Sequence, residues 1–184
     1  AGLIPALETP DGPISETGAI LLWLVDRHGQ LAPTQERPDR GEFLKWLFFT
    51  SNTLHPAARM RFYPEQYVGA DESAQAALRA HAKGEVLRYF DLLEVVAAQN
   101  PDWLYGADFS CLDFYLACLC RWLVLYPRDE DNSWFQLANW PKVRAMAARL
   151  DHCKSAYSAI LAEGLGKTPF TSPRHPTPPE GSVS

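Results

Sequence analysis

The chain has 184 residues, 47% hydrophobic and 21% charged, and its 17 Lys+Arg against 22 Asp+Glu leave a formal charge of −5. That size suits one large domain or one domain with part of another, and an acidic balance without a basic block argues against a nucleic-acid partner. The longest apolar run, 19–25, is too short for a bilayer span, so no membrane partner is expected.

The first element is Ile4-Pro5-Ala6-Leu7-Glu8, a short apolar strand. A proline cannot donate to a strand ladder, so the place of Pro5 needs its own explanation. A Pro/Gly turn and a second short strand follow, then Ser15-Glu16-Thr17-Gly18-Ala19-Ile20, which opens a helix over 16–28 with Gly29 as its stop. The polar, proline-punctuated stretch 31–38 reads as a linker. Asp39 and Glu42 read as a capping box before an apolar helix over 43–54, which Pro56 should bend or end. Tyr63-Pro64 marks an irregular stretch, and an Ala-rich helix covers 72–98. After a connector at 103–106, a buried helix is expected over 110–126, with two more at 141–149 and 154–163. From Lys167 onward, prolines among Ser and Thr predict disorder. No internal repeat is present.

Arg27 is the first basic residue, which argues against a signal peptide and a mitochondrial presequence. Cys111, Cys118, Cys120 and Cys153 have neither CxxC nor metal-ligand spacing, so no metal is expected and a reducing cytoplasm is the expected compartment. The 12% aromatic content calls for a dense core or an aromatic-lined pocket.

Together, the run 4–20 and the stretch Phe109-Ser110-Cys111-Leu112-Asp113-Phe114-Tyr115-Leu116-Ala117 resemble the glutathione S-transferase family, bacterial type, over roughly 2–165. The resemblance implies an α+β to mostly α fold. A partial thioredoxin-like β-β-α unit at 1–30 would be joined by the 31–38 linker to an all-helical C-terminal domain at 39–166, with 167–184 as tail. Family members carry a further strand, helix and strand before the Pro-containing strand. The expectation is therefore that the Tyr, Ser or Cys acting on the thiol lies outside this sequence.

The resemblance also implies a glutathione site. Ile4, before a cis Pro5, would pair its backbone with the cysteinyl part, Glu16 would face the γ-glutamyl ammonium and Thr17 would take the carboxylate. Without the resemblance, Pro5 is a strand-edge proline and Ser15-Glu16-Thr17 is a helix cap, with Ser15 in the cap position. His55, in Leu54-His55-Pro56, is either a candidate beside the glutathione sulfur, as in the beta class, or a histidine on a helix C-terminus. Arg59, Arg61, Phe62 and Tyr63 are either pocket lining or a solvated loop.

Ser110 and Asp113 read as a structural capping box, Cys111, Cys118 and Cys120 as buried thiols, and Trp46, Trp122, Trp134 and Trp140 as core. The implied reaction is attack of the glutathione thiolate on an electrophilic small molecule, by a cytoplasmic homodimer. Its interface would draw on Trp23, Phe43, Trp46, Phe48 and Phe49. The alternatives are a non-catalytic binding or scaffolding module, a maleylacetoacetate isomerase, or a glutathione-dependent disulfide reductase.

Overall fold

The computed structural model describes residues 4–176. Thr9 closes the first hairpin: its hydroxyl donates to Gly12 O at 2.6 Å and accepts from Asp11 N at 3.2 Å. Strands β1 (Ala6–Thr9) and β2 (Gly12–Ser15) pair antiparallel, with Ala6 opposite Ser15 and Thr9 opposite Gly12. Pro5 lies just before β1, so its missing N–H is not subtracted from the ladder. Helix α1 (Thr17–His28) ends as expected at Gly29, whose φ of 62° lets its N–H return to Val25 O. The linker is tied down at both ends. Leu31 O accepts from Cys111 N at 2.8 Å, while Arg40 donates to Pro33 O and to Asp26, each at 2.6 Å.

Helix α2 (Arg40–Phe49) follows, without the capping box expected at Asp39. The Asp39 carboxylate is taken instead by Arg37, at 2.9 and 2.7 Å. Pro56 does not end the helix either. It supplies no N–H to the ladder, and the chain adapts upstream through a π turn at Thr50–Leu54, closed by His55 N–H to Thr50 O. The rod then continues as α3 (His55–Phe62). The irregular stretch beyond holds a short helix, α4 (Glu65–Val68), that sequence periodicity does not reveal.

Helix α5 (Glu72–Ala97) is capped by Asp71, which accepts from Ser73 N and Ala74 N. Helix α6 (Cys111–Leu125) carries the expected capping box: Asp113 N donates to the Ser110 hydroxyl, and Ser110 N donates to Asp113 at 2.8 Å. A 3₁₀ turn at Leu137–Asn139 leads into α7 (Pro141–Leu150), and α8 (Lys154–Ala162) follows. The N-terminus of α7 is satisfied from another helix, because the Glu94 carboxylate accepts from Lys142 N and Val143 N.

The result is a β-β-α unit followed by a helical body, as the sequence implied. The core centres on α6, whose Leu112, Leu116, Leu119 and Leu123 are fully buried against Phe43 and Leu47 of α2, Phe90 and Leu93 of α5, and Met146 and Leu150 of α7. Each such side chain contributes about 1.5–3 kcal/mol by leaving water. Phe90, Phe135 and Trp140 meet at 5.0–5.2 Å, and Trp140 donates its indole N–H to Asp91 at 2.8 Å. Trp46 and Trp140 are core, whereas Trp122 and Trp134 are only half-buried. Trp134 lies under the Arg61 and Lys83 cations at 5.0 and 5.6 Å.

Phe43 and Trp46 are also buried within the chain, so of the five aromatics offered for a dimer interface only Phe48 is classed as exposed. Burial holds the thiols of α6 protonated, raising Cys118 and Cys120 and pushing Cys111 up to about 12. At half-exposed Cys153, burial is outweighed by the Ser155 hydroxyl and the N–H groups of Ala156 and Ser155, and the thiol is lowered.

Disorder from Lys167 does not hold through residue 176. Phe170 is buried, and the Asp151 carboxylate accepts from Phe170 N at 2.9 Å and from the N–H and hydroxyl of Thr171. Arg121 clasps the same segment, donating to Pro169 O and Arg174 O. The prolines are counted by composition, but these partners sit on other elements. The remainder of the tail, 177–184, lies outside the described residues.

Candidate functional site

The hairpin delivers the chain to α1 through Glu16. This residue, and not Ser15, is in the N-cap position, with φ 72° and ψ 120°. A non-glycine residue at positive φ costs about 1–3 kcal/mol and is retained where surrounding structure fixes it. Here the turn sends the exposed Glu16 side chain away from a capping bond, so its carboxylate makes none. Thr17 takes the first helical position, where backbone N–H groups lack intrahelical acceptors and the helix dipole favours negative charge. An acidic side chain beside an anion-favouring helix end is a pair of opposite preferences at one corner.

Ile4 is exposed, and its peptide bond to Pro5 is cis. On the described residues β1 pairs only with β2, which leaves its other edge open to an extended backbone.

The corner is set against the helical body by a close approach. A Cβ on Gly18 would lie 3.1 Å from the Ser51 hydroxyl oxygen, so α1 meets the π turn where it has no side chain. The π turn also fixes the register of His55, the next residue. His55 Nδ1 is 2.7 Å from the Tyr115 hydroxyl of α6. Its ring stands edge-on to Tyr115 at 5.7 Å and tilted against Trp122 at 5.6 Å. Burial, aided by the Arg59 charge, lowers the imidazole to about 4, so His55 is neutral at pH 7.

Tyr115 is buried. Burial pushes its phenol up to about 12, against the opposing influence of the nearby Thr17 side chain and with a further push from the charge of Glu16. His55 is therefore held by Tyr115, a residue of the stretch 109–117 to which the sequence gives no role of its own. Its signal was there: a phenol oxygen on the buried side of a helix otherwise filled with Leu, Ala and Cys.

Beyond His55 the aromatic line continues down α6, with Phe62 against Tyr126 at 6.3 Å and Tyr126 against His175 at 5.3 Å. Of the basic–aromatic cluster, Arg59 lies over Tyr63 and donates to Gln66, near this line. Arg61 is neither in a loop nor solvated. It is a buried residue of α3, paired with Glu130 at 3.0 Å. A separate cavity at the junction of α1, the linker and α2, lined by Val25, Asp26, Pro33 and Arg40 among others, includes none of the candidate site residues.

Residues 76–149 match the family described as glutathione S-transferase, C-terminal domain. The glutathione S-transferase GstA of Escherichia coli O157:H7 is 25% identical over 167 residues, spanning 89% of this chain and 75% of that protein. Among solved structures, a glutathione transferase from Methylococcus capsulatus str. Bath is 28% identical with a TM-score of 0.68, covering 90% of this chain and 75% of its own. A sphingomonad glutathione S-transferase, complexed with glutathione, is 27% identical with a TM-score of 0.66, covering 90% of this chain and 76% of its own.

Proposed function

Because the chain belongs to the bacterial-type glutathione S-transferases, we propose that it binds glutathione at the α1 corner and directs the thiolate at an electrophilic small molecule. The observation that carries this reading is the exposed Glu16, unused in capping, immediately beside the open helix end at Thr17. An α-amino acid head fits both preferences, its ammonium on the Glu16 carboxylate and its carboxylate on the Thr17 N–H and hydroxyl. Ile4, two residues before β1, offers backbone groups to the peptide part of the same ligand.

A glutathione thiol near the ordinary cysteine value of about 8.5 is only a few per cent thiolate at pH 7, so a proton acceptor is needed for attack. Neutral His55 can hydrogen-bond the sulfur, but an imidazole lowered to about 4 is too weak a base to hold the thiol proton at pH 7. The half-buried Trp122, Phe62 and Tyr126 offer an apolar wall for the electrophile.

Titration calorimetry of the full chain with glutathione tests the site. Glu16→Ala should weaken binding by about 1–3 kcal/mol, the scale of a lost charged hydrogen bond. An unchanged affinity would remove the assignment of Glu16.

A further inference from the structure

We propose that the ligand of the aromatic wall is an aromatic electrophile carrying an anionic group, with Arg59 and Arg128 as the residues that select its charge. The proposal rests on the reading of that wall as the electrophile side of a glutathione site.

The wall is built by two helices in step. On α3, Arg59 follows His55 by four residues and Phe62 follows Arg59 by three, while Tyr126 follows Trp122 by four at the end of α6. Each set therefore keeps to one helix face. The faces meet in two rungs, His55 with Trp122 at 5.6 Å and Phe62 with Tyr126 at 6.3 Å. All four rings are half-buried, so each keeps part of its surface in solvent. A flat, electron-poor ring gains by stacking there, because the faces of Trp122 and Tyr126 carry negative charge density.

The fixed charges over this wall are cations. The Arg128 guanidinium lies 5.8 Å over Tyr126. That of Arg59 lies 5.6 Å over Tyr63, whose ring is 6.3 Å from Phe62. Among the described residues, neither arginine forms an ion pair. The carboxylates close to Arg128 in sequence do not serve it. Glu130 has one oxygen on Arg61 at 3.0 Å and the other on Arg79 at 2.9 Å, and Asp131 accepts from Ser133 N. Asp129 is exposed and makes no ion pair with its neighbour.

Arg128 is exposed and Arg59 half-buried, and Arg59 spends an N–H on Gln66 at 3.1 Å. A guanidinium has five donors, so both arginines keep N–H groups for a ligand. An anionic group held there forms charge-assisted hydrogen bonds, which a neutral group cannot match. Arg128 follows the end of α6, a turn or more beyond Trp122. A ligand with its anionic group at Arg128 thus presents its opposite end toward His55 and the α1 corner.

The compounds 3,5-dinitrobenzoate and 3,5-dinitrobenzamide are matched in size and differ in charge. Neither has a leaving group, so calorimetry with the full chain at pH 7 reads their binding without turnover. The benzoate should bind about tenfold tighter, the scale of two exposed charge contacts. Arg59→Gln and Arg128→Gln should each cut that ratio about threefold and leave the affinity for the benzamide, which reports an intact wall, where it was. Arg144→Gln alters an exposed arginine of α7 outside the wall and should leave the ratio unchanged. In about 1 M salt, where the screening length falls to about 3 Å, the ratio should approach one.

A ratio near one, a ratio that both wall variants leave intact, or no binding of either compound overturns the proposal. Calorimetry with glutathione reads the α1 corner separately. Glutathione that binds while the ratio stays near one overturns the charge selection alone. A benzoate preference lost in the two variants, in a chain that does not bind glutathione, upholds the charge selection and removes the reading of the corner.

Discussion

His55 and Asp113 are both buried titratable groups, and burial moves them to opposite sides of their ordinary values. The His55 imidazole falls from 6.5 to about 4, chiefly by desolvation. The unfolded chain therefore takes the proton first, and the stability contributed by the neutral ring is complete above pH 6.5 and lost as pH falls toward 4. Asp113 rises from 3.8 to about 6, again chiefly by desolvation, which outweighs its hydrogen bonds from Ser110 N and Tyr105 N. The folded chain holds that proton more tightly, so its contribution is complete below pH 3.8 and lost as pH rises through 6.

At about 1.4 kcal/mol per unit, each effect amounts to about 2–3 kcal/mol across the window. The two slopes oppose each other, and denaturant unfolding of the native sequence should show little change between pH 4 and 6. His55→Gln should lose stability as pH rises through this range, and Asp113→Asn should gain it. Parallel profiles for all three proteins would contradict the pairing. Neither burial could be read from the sequence, where His55 was as plausibly a helix-end histidine as a site residue. Glu16 and Thr17 could be read as a helix start because their spacing from Pro5 is local, whereas Tyr115 meets His55 from sixty residues away through packing alone.

At the scale of elements, two stretches with the same capping pattern behave differently. Ser110 and Asp113 complete their box, while Asp39 and Glu42 do not, because Arg37 is two residues away and holds both oxygens of Asp39. Ser110→Ala should lower the stability of the chain by about 1–2 kcal/mol, the usual cost of a lost cap. Asp39→Ala removes only an exposed ion pair and should leave the unfolding midpoint almost where it was. Equal losses in the two variants would show that Asp39 caps α2 after all.

The same contrast explains which helices were legible. Long helices with apolar periodicity, such as α5 and α6, were found within a few residues. The π turn and α4 were not, since each is shorter than a period and is set by Pro56 and by contacts across the bundle.

Over the whole molecule, the segment 167–176 acts as a strap across the helical body, held by Asp151 and Arg121. Its burial of Phe170 explains why a sequence of prolines and small polar residues stays in place. Lys167 and Arg174 are both exposed, and a protease needs more than exposure, since the backbone must also lift away from its partners. Brief trypsin treatment should therefore spare both sites in the native chain and cut after them much faster in Asp151→Ala, as read by mass spectrometry. Cleavage at equal rates in the two proteins would mean that the strap is loose without the substitution.

The four thiols, finally, differ enough in their surroundings to be told apart by a reagent. In α6, Cys111 and Cys120 are enclosed, Cys118 is half-buried, and all three are held protonated, while half-exposed Cys153 has its thiolate favoured at the start of α8. A maleimide at neutral pH would accordingly select Cys153, remote in sequence from Glu16, Thr17 and His55. The native chain thus comes with its own attachment point for a dye or spin label, two residues beyond the Asp151 that holds the strap, with no cysteine to remove first.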